Sequence, residues 1–332
     1  MTLWYIVMIN RDSQIEAFLK KAGLKRYERI SIPGDASFRR YERIRIDGGE
    51  LILMDAPPEK EDIKPFILVD ELLLLLGLSA PKIVAKNVDD GFLLLEDLGN
   101  KKFNHIFKET PQREEELYKL AVDAIAHIYK NKQKFDIAEY SREKLLQEAM
   151  LFVDWYLPLF EKVSDEKKNK IAAEYTRLVN ATLDKLKLPN DVMVLRDYHA
   201  DNLMLLEDRI GVKKVGLLDF QDALHGNVAY DLVSLLEDAR RDVSKNIQSK
   251  MIEYFLQSTG NRIQSSEFMN DYHILGAQRN LKIIGIFSRL KVRDGKEVYL
   301  PLIPRVKGYL KQDLQHESLK ELREFLEKEC NL

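Results

Sequence analysis

The spacing of apolar and polar residues changes along the chain, and the change separates a strand-rich region from a helical one. Residues 26–32 and 40–46 show the alternation of half-buried strands, and Asp47-Gly48-Gly49 marks a hairpin turn before another strand at residues 51–54. The other elements predicted here are helices at residues 12–24 and 62–76 and strands at residues 83–84 and 91–95. Together these elements predict a small sheet with accompanying helices.

Helical spacing dominates from Glu96 onward. In residues 113–129 the apolar side chains recur three and four positions apart, which is the pattern of an amphipathic helix. The remaining predicted elements are helices at residues 142–160 and 166–186, two short strands at residues 193–196 and 215–219 with a hairpin, and further helices from residue 231 to residue 332. We therefore predict an α+β fold with a small β-rich N-lobe over residues 12–96 and a larger, mostly helical C-lobe over residues 97–332.

The composition narrows the class of protein. A length of 332 residues allows about two domains. Lys and Arg number 52 and Asp and Glu number 54, and this balance argues against a nucleic-acid-binding surface of the usual basic kind. The single cysteine, Cys330, excludes an intrachain disulfide and a cysteine zinc cluster. No apolar run approaches the roughly 20 residues of a membrane span, so we expect a cytoplasmic protein with no membrane partner.

Three polar residues in the C-terminal half have the spacing of a phosphoryl-transfer site. Asp197 and Asn202 lie five positions apart in a turn after an apolar strand, and Asp219 ends the next predicted strand. Phosphoryl transfer needs one carboxylate that orients the attacking hydroxyl and accepts its proton, and it needs an amide and another carboxylate for Mg²⁺. Because this chemistry depends on positioning, these groups must come from rigid strand ends. The alternative is a capped turn with a surface asparagine and a strand-terminal aspartate.

The same residues resemble a known family. Arg196-Asp197-x-x-x-x-Asn202, followed by Asp219-Phe220, is similar to the catalytic and metal-binding segments of the kinase fold, and most similar to its aminoglycoside phosphotransferase and choline kinase branch. That branch usually has His-Gly-Asp where this chain has Leu-Arg-Asp. The resemblance implies a bilobal, protein-kinase-like fold that uses ATP, with Asp197 as the catalytic base and Asn202 and Asp219 as ligands of Mg²⁺.

Longer segments narrow the resemblance to one bacterial subfamily, the cell-wall amino-sugar kinases. These segments are residues 34–41, 53–58, 91–99, 229–236, 238–242 and 278–289. The resemblance implies an enzyme that phosphorylates N-acetylmuramate and N-acetylglucosamine at the anomeric (C1) hydroxyl in peptidoglycan recycling, with no nucleic-acid partner. Two alternatives stay open: a kinase of the same fold for another small alcohol, and a pseudokinase that binds nucleotide without turnover.

Candidates for nucleotide binding lie in the N-lobe and at its end. Gly34 and Ser37 occupy the loop between two predicted strands, where glycine permits a close backbone approach and a serine hydroxyl can bond a phosphate oxygen. A plain hairpin loop is the alternative. Arg39, beside this loop, is a candidate for the phosphates. The resemblance implies that the main chain around Glu96 and Leu98 holds the edge of the adenine, so that their side chains need not take part.

The resemblance breaks down at Met54, which stands where the family places a phosphate-binding lysine or arginine. Arg39 and Arg40 are candidates for the missing charge, and because successive residues of a strand point to opposite faces, at most one of them faces the nucleotide. Another basic residue, or a different position of the nucleotide, stays open. Glu71 lies on the helix where kinases carry the partner of that lysine, and a solvated helix acid is the alternative.

Three further residues are candidates for support of the substrate or of the loop. His199 lies between Asp197 and Asn202, and we interpret it as structural or substrate-facing because the loop already has its carboxylate. Asp222 either aids metal or substrate binding or caps a turn. The resemblance implies that Asp231 braces the catalytic loop through main-chain hydrogen bonds, and a helix N-cap is the alternative.

Arginines in the C-lobe are candidates for an anionic substrate. They are Arg240, Arg241, Arg279 and Arg289. Arginine forks suit the lactyl carboxylate of N-acetylmuramate, whereas they would repel a polycationic aminoglycoside, and choline would need an aromatic cage. The alternative is that these arginines are surface charges that pair with Asp238 and Asp242.

Overall fold

The computed structural model describes residues 2–33, 38–161, 164–330 and 332. The chain forms two compact units, each built from two separate stretches of sequence. The first unit comprises Met1–Lys102 and Met204–Asp222, and the second comprises Phe103–Leu203 and Ala223–Leu332. The lobe boundary between residues 96 and 97 remains a prediction, because these units follow spatial contacts and not one cut in the sequence.

In the described part of the first unit, five strands form one antiparallel sheet in the order β1-β2-β3-β5-β4. The strands are β1 (Glu28–Ile32), β2 (Arg40–Ile46), β3 (Gly49–Asp55), β4 (Ile83–Asn87) and β5 (Phe92–Glu96). Their bounds lie close to those predicted from the sequence, because apolar and polar residues alternate along a strand that is buried on one face. β3 and β5 are the most buried of these five strands.

Helix α1 (Thr2–Lys21) packs against this sheet. Its buried residues Ile15, Phe18 and Leu19 share an apolar cluster with side chains of β2, β3 and β5. Their spacing of three and four positions places them on one side of the helix. The sequence predicts that this helix begins at residue 12, whereas in the structure it begins at Thr2. The preceding residues contain no glycine or proline that would end it.

Helix α2 (Lys64–Leu75) belongs to the same unit and buries one carboxylate among apolar side chains. Phe66 and Leu73 are buried, and so is Asp70, whose two carboxylate oxygens have no hydrogen-bond partner among the described residues. Burial, with smaller contributions from the negative charges of Glu71 and Glu96, raises the pKa of Asp70 to about 7. The sequence alone does not indicate that Asp70 is buried, because an acid within an amphipathic helix is expected at the surface.

The second unit is mainly helical. Its described residues include α3 (Phe103–Glu109), α4 (Glu114–Lys130), α5 (Arg142–Leu151), α6 (Asp165–Leu183), α7 (Ala229–Leu236), α8 (Lys245–Ser258), α9 (Ser265–Asp294), α10 (Ile303–Asp313) and α11 (Lys320–Cys330). The long helix α9 is central, since it packs against α5, α7 and α10. Throughout the described chain, every helix is too short or too polar to cross a membrane.

The helix predicted over residues 142–160 changes its winding partway. α5 ends at Leu151, and a π-helical segment, Phe152–Glu161, continues the chain. Pro158 lies inside this segment, where the missing N–H of proline breaks the α-helical hydrogen-bond pattern. Gly285 of α9 faces the junction, and a Cβ atom there would lie only 2.3 Å from the carbonyl carbon of Leu151. Glycine therefore allows this close approach.

Four three-residue strands flank the predicted site residues in the sequence. β6 (Val192–Val194) pairs with β9 (Leu224–Gly226), and β7 (Leu203–Leu205) pairs with β8 (Val215–Leu217). The strands predicted at residues 193–196 and 215–219 therefore have different partners and are not the two arms of one hairpin. Strands this short carry no periodicity of their own, so tertiary contacts decide their pairing.

The buried carboxyl of Asp70 gives a testable pH dependence. Its folded-state pKa of about 7 lies above the ordinary 3.8, so its stabilising contribution is complete below pH 4 and is lost as the pH rises through 7. Each unit of such a shift corresponds to about 1.4 kcal/mol. Asp70→Asn should therefore gain stability relative to the parent protein between pH 5 and pH 8, measured by urea unfolding. Asp89→Asn, in an exposed turn, is the control. A constant difference between Asp70→Asn and the parent across this range would contradict the prediction.

Candidate active site

The loop that follows β6 is held by a buried carboxylate. Asp231, in the first turn of α7, accepts hydrogen bonds from the main-chain N–H of Leu195 at 2.6 Å and of Arg196 at 2.8 Å. Ser234, one turn further along α7, donates to the main-chain oxygen of Arg196 at 3.0 Å. Burial raises the pKa of Asp231 to about 7, although the two N–H donors favour its anion. Helix α7 thus holds both sides of the residue before Asp197.

Arg196 has a backbone conformation that is uncommon for a residue other than glycine. Its φ is 69°, in the left-handed region. Its guanidinium forms an ion pair with Glu148 and lies 5.0 Å from the ring centroid of Tyr140. Lys282 also pairs with Glu148, at 2.9 Å. Such conformations persist where the surroundings over-determine them, and they cluster at functional sites.

Asp197 is held in its ionised form. Its side chain is exposed. Desolvation raises the pKa of its carboxyl, but nearby basic residues lower it by more, so the resulting pKa lies below the ordinary value. In order of effect, these residues are Lys282, His199, Arg279 and Arg196. An accessible carboxylate in this state can orient a hydroxyl and accept its proton.

Asn202 and His199 shape the other end of the loop. Asn202 donates from Nδ2 to the main-chain oxygen of Asp197 at 3.0 Å. His199 is buried, and its Nε2 lies 3.2 Å from Nη1 of Arg240, so Nε2 accepts a hydrogen bond and the ring proton is on Nδ1. Desolvation lowers the pKa of His199, which keeps the ring neutral at pH 7. The geometry therefore favours a supporting role for His199 over that of a general base.

The arginines proposed for an anionic substrate have different surroundings. Arg279 is buried and donates to Oγ of Ser234 at 2.8 Å. Arg241 is largely buried and pairs with Glu114 at 2.7 Å. Arg240 leaves 32% of its side chain exposed. Of these three, Arg240 is the most accessible to a substrate.

The alternative, that these arginines are surface charges paired with Asp238 and Asp242, agrees only in part with the structure. Asp242 pairs with Arg305 at 2.5 Å, and Asp238 accepts the main-chain N–H of Arg240 at 2.8 Å. Desolvation lowers the pKa of Arg289, which is partly buried on α9. Arg240 forms an ion pair with Asp201 at 3.9 Å and Arg241 pairs with Glu114, so these two arginines have acidic partners besides the two that were expected.

Asp219 belongs to the first unit and lies just after β8. Its φ of 59° is again left-handed, and its Oδ1 accepts a hydrogen bond from Nε2 of Gln221 at 3.0 Å. Phe220 is fully buried against Phe66 of α2, with ring centroids 4.9 Å apart, while Asp219 is exposed. The third described non-glycine residue with positive φ is Asn261, which follows the end of α8, where this conformation is ordinary.

The segment after β5 lies beside an apolar cluster. The side chain of Glu96 forms an ion pair with Arg209 at 2.5 Å. Leu98 packs with Met204 and Leu206 in the same unit. Such a cluster can support a flat aromatic ring, while main-chain groups next to it can bind the edge of that ring.

Of the four remaining predicted residues, two lie at the surface and two are not among the residues that the structure describes. Gly34 and Ser37 lie outside the described residues. Asp222 is exposed in a turn. Glu71 forms an ion pair with Lys86 at 3.3 Å, and both side chains are about half exposed. This placement favours the solvated helix acid over a partner for a phosphate-binding lysine.

Arg39 and Arg40 form ion pairs with different acids. Arg40 pairs with Asp55 of β3 at 2.5 Å. Arg39 pairs with Glu61, in the loop before α2, at 3.2 Å. That at most one of the two arginines faces the nucleotide stays a prediction.

The chemistry of the motif residues suits a magnesium ion. Among the described residues, no three His, Cys, Asp or Glu side chains are clustered as metal ligands. Magnesium in phosphoryl transfer needs fewer protein ligands, because it keeps several waters and binds phosphate oxygens. Asn202 and Asp219 carry the amide and carboxylate oxygens that this ion prefers, and the bond from Nδ2 of Asn202 to Asp197 orients the amide. The residues present therefore fit the ion.

Sequence reasoning missed the residues that support the loop from behind. Tyr140 donates to Glu148, and Glu148 in turn pairs with Arg196 and Lys282. Glu148 and Tyr140 carry no motif in the sequence. For Lys282 the available signal was its place in the family-like segment 278–289.

Comparison with known proteins supports the same family. Residues 28–268 match the phosphotransferase enzyme family. The chain is 37% identical to the N-acetylmuramate/N-acetylglucosamine kinase of Pseudomonas aeruginosa, over 90% of this chain and 88% of that protein. It is 34% identical to the protein of the same name from Neisseria meningitidis, over 84% of this chain and 83% of that protein.

Solved structures with low sequence identity share the fold. The choline kinase from Streptococcus pneumoniae matches with a TM-score of 0.63 and 12% identity, over 90% of this chain and 99% of that one. An ADP-bound aminoglycoside phosphotransferase matches with a TM-score of 0.62 and 15% identity, over 94% and 99%. The predicted kinase-like α+β fold is thereby confirmed. Together with the family match over most of its length and the curated relatives, these results establish that the chain belongs to the phosphotransferase enzyme family.

Proposed function

We propose that this protein is an ATP-dependent kinase that phosphorylates N-acetylmuramate and N-acetylglucosamine at the anomeric hydroxyl, in peptidoglycan recycling. The observation that carries the proposal is the ionised, accessible carboxylate of Asp197 on a loop that Asp231 holds in place. The names of the curated relatives support the choice of the two sugars.

Asp197 is proposed to act on the hydroxyl of the sugar. Its carboxylate orients the C1 hydroxyl and accepts the proton while the hydroxyl oxygen forms a bond to the γ-phosphorus of ATP. The bond between that phosphorus and the β,γ-bridging oxygen breaks, and ADP leaves. The low pKa of Asp197 keeps the group available as an acceptor throughout the neutral range. The reaction yields the sugar 1-phosphate.

Two sets of residues are proposed to hold Mg²⁺ and ATP. Asn202 and Asp219 would bind Mg²⁺, which when present neutralises negative charge on the phosphates. The main chain around Glu96 and Leu98 would bind the adenine edge, and the apolar cluster of Leu98, Met204 and Leu206 would support its ring.

Arg240 is the proposed contact for the lactyl carboxylate of N-acetylmuramate. Its guanidinium is part-exposed, lies 3.9 Å from a carboxylate oxygen of Asp201 and adjoins His199, which follows Asp197 by two residues. Arg241 and Arg279 are buried in contacts with protein groups and are less suited to bind a ligand. A cation at Arg240 also disfavours the polycationic aminoglycosides.

A pseudokinase is the second candidate, and Met54 is the observation that favours it. This apolar residue occupies the position of the family's phosphate-binding cation. Against this candidate, Asp197, Asn202 and Asp219 are all present, and the carboxyl of Asp197 is ionised.

A panel of acceptors tests the proposed function. With ATP and Mg²⁺, both N-acetylated sugars should stimulate ADP release and give an anomeric phosphate that phosphorus NMR can identify. The matched control is 1-deoxy-N-acetylglucosamine, which lacks the attacked hydroxyl and should give no product. Choline and aminoglycosides should give none either. Turnover of choline or an aminoglycoside, with neither sugar accepted, would contradict the substrate assignment, and no turnover with any acceptor would favour the pseudokinase.

Asp197→Asn tests the assignment of the base. The amide cannot accept the proton, so kcat should fall by about 100-fold or more. Binding of ATP, measured by calorimetry, should be nearly unchanged. Asp191→Asn is a control just before β6, because Asp191 is exposed and pairs with Lys132. If kcat survives in Asp197→Asn, the base assignment is wrong.

A further inference from the structure

One position on the sheet lacks the cation that phosphoryl transfer normally uses. In kinases a lysine of the third strand contacts the nucleotide phosphates and pairs with an acid of the neighbouring helix. Here the corresponding residue, Met54, is fully buried and apolar. The acid expected on α2, Glu71, instead pairs with Lys86 at the surface. The charge must therefore come from another residue if this unit binds a nucleotide.

The register of the sheet places another cation beside Met54. Tyr41 of β2 is the cross-strand partner of Met54 on β3, so both side chains lie on the same face of the sheet. Arg39 precedes Tyr41 by two residues and forms a side-chain hydrogen bond with it, which places Arg39 on that face as well. The long arginine side chain can span the distance between neighbouring strands.

An acid near the start of α2 holds this arginine. Nη2 of Arg39 lies 3.2 Å from Oε2 of Glu61, and their side chains are 12% and 21% exposed. The pair thus has the same two components as the usual lysine and glutamate, because Arg39 is a cation just before β2 and Glu61 is an acid shortly before α2. Partial burial makes such a pair more effective than a fully exposed one.

Arg40 does not compete for this role. Its cross-strand partner is Asp55, and Arg40 and Arg11 both form ion pairs with that buried carboxylate. Asp55 neutralises both guanidinium groups. It lies on the face of the sheet opposite to Met54, because the two residues are neighbours on β3. Arg40 is consequently a suitable control for a change of charge at the neighbouring position.

We infer that Arg39, positioned by Glu61, supplies the positive charge for the nucleotide phosphates that a third-strand lysine supplies elsewhere in this fold. The inference deepens the proposed function and rests on it, since it assumes that the ligand is a nucleotide. Arg39 would contact the phosphates directly, whereas Glu61 acts through Arg39 as a positioning residue.

Calorimetry with three ligands, Mg²⁺-ATP, ADP and adenosine, tests Arg39 on the full-length chain. Arg39→Gln should weaken binding of ATP and ADP by about 10- to 100-fold, the range of a charge-assisted contact, and should leave adenosine unchanged. Arg39→Lys should restore part of the loss. Arg40→Gln should bind all three like the parent protein, because Arg11 still pairs with Asp55.

The outcomes separate this inference from the proposed function. Unchanged ATP and ADP affinity in Arg39→Gln, or an equal loss for adenosine, would overturn the role of Arg39. Failure of both sugars to stimulate turnover would contradict the proposed function, while a selective loss of ATP and ADP affinity would still support Arg39. A parent protein that binds no ATP would overturn both.

A double-mutant cycle tests Glu61. Glu61→Gln should weaken ATP binding by about 3- to 10-fold in the parent protein, because Arg39 loses its partner, and should add little in Arg39→Gln. Glu61→Asp should recover part of the affinity. Equal losses from Glu61→Gln in both backgrounds would show that Glu61 acts independently of Arg39 and would refute the positioning role.

Discussion

The carboxylate of Asp231 accepts hydrogen bonds from two consecutive main-chain N–H groups, and the candidate catalytic loop depends on this contact. The bonds to Leu195 and Arg196 occur where β6 ends, so these N–H groups have no strand partner and would otherwise be buried without an acceptor. With Ser234 bonded to the other side of Arg196, the chain is held in a left-handed conformation that is otherwise unfavourable. Asp197 is the next residue, so its direction follows from a contact made by a helix that begins more than thirty positions later.

The charges around Asp197 form a balanced group. Lys282 and Arg196 share Glu148, whose pKa is lowered by these two cations despite the opposing effect of burial. The cations thus have a partner of their own, and they still lower the pKa of Asp197. Removal of one member of such a buried group would leave an uncompensated charge, which is costly. The network therefore connects the stability of the second unit to the ionisation state of its candidate base.

The register of the sheet in the first unit bears on where a phosphate-binding cation can lie. Tyr41 and Met54 are cross-strand partners, so a cation carried near Tyr41 reaches the same face as one carried at Met54. The inferred role of Arg39 and Glu61 in place of the usual lysine and glutamate therefore requires no change in the order of the strands. Because successive side chains along a strand point to opposite faces of the sheet, Arg40 lies on the opposite face, where it forms an ion pair with Asp55.

The sequence by itself determined the strands and most helices of this protein. In a half-buried element, apolar and polar side chains recur with the period of that element, and this pattern can be seen in the sequence. It also indicated Asp197, Asn202 and Asp219 as candidate site residues, since phosphoryl transfer requires particular side chains at a particular spacing. Tertiary structure decided the pairing of the three-residue strands, the burial of Asp70, the group around Glu148 and the partner of Arg39. These features depend on residues far apart in the chain, and no local period records which distant side chain will face another. The difference in physical terms is that burial along one element is periodic, whereas contact between elements is set only when the whole chain packs.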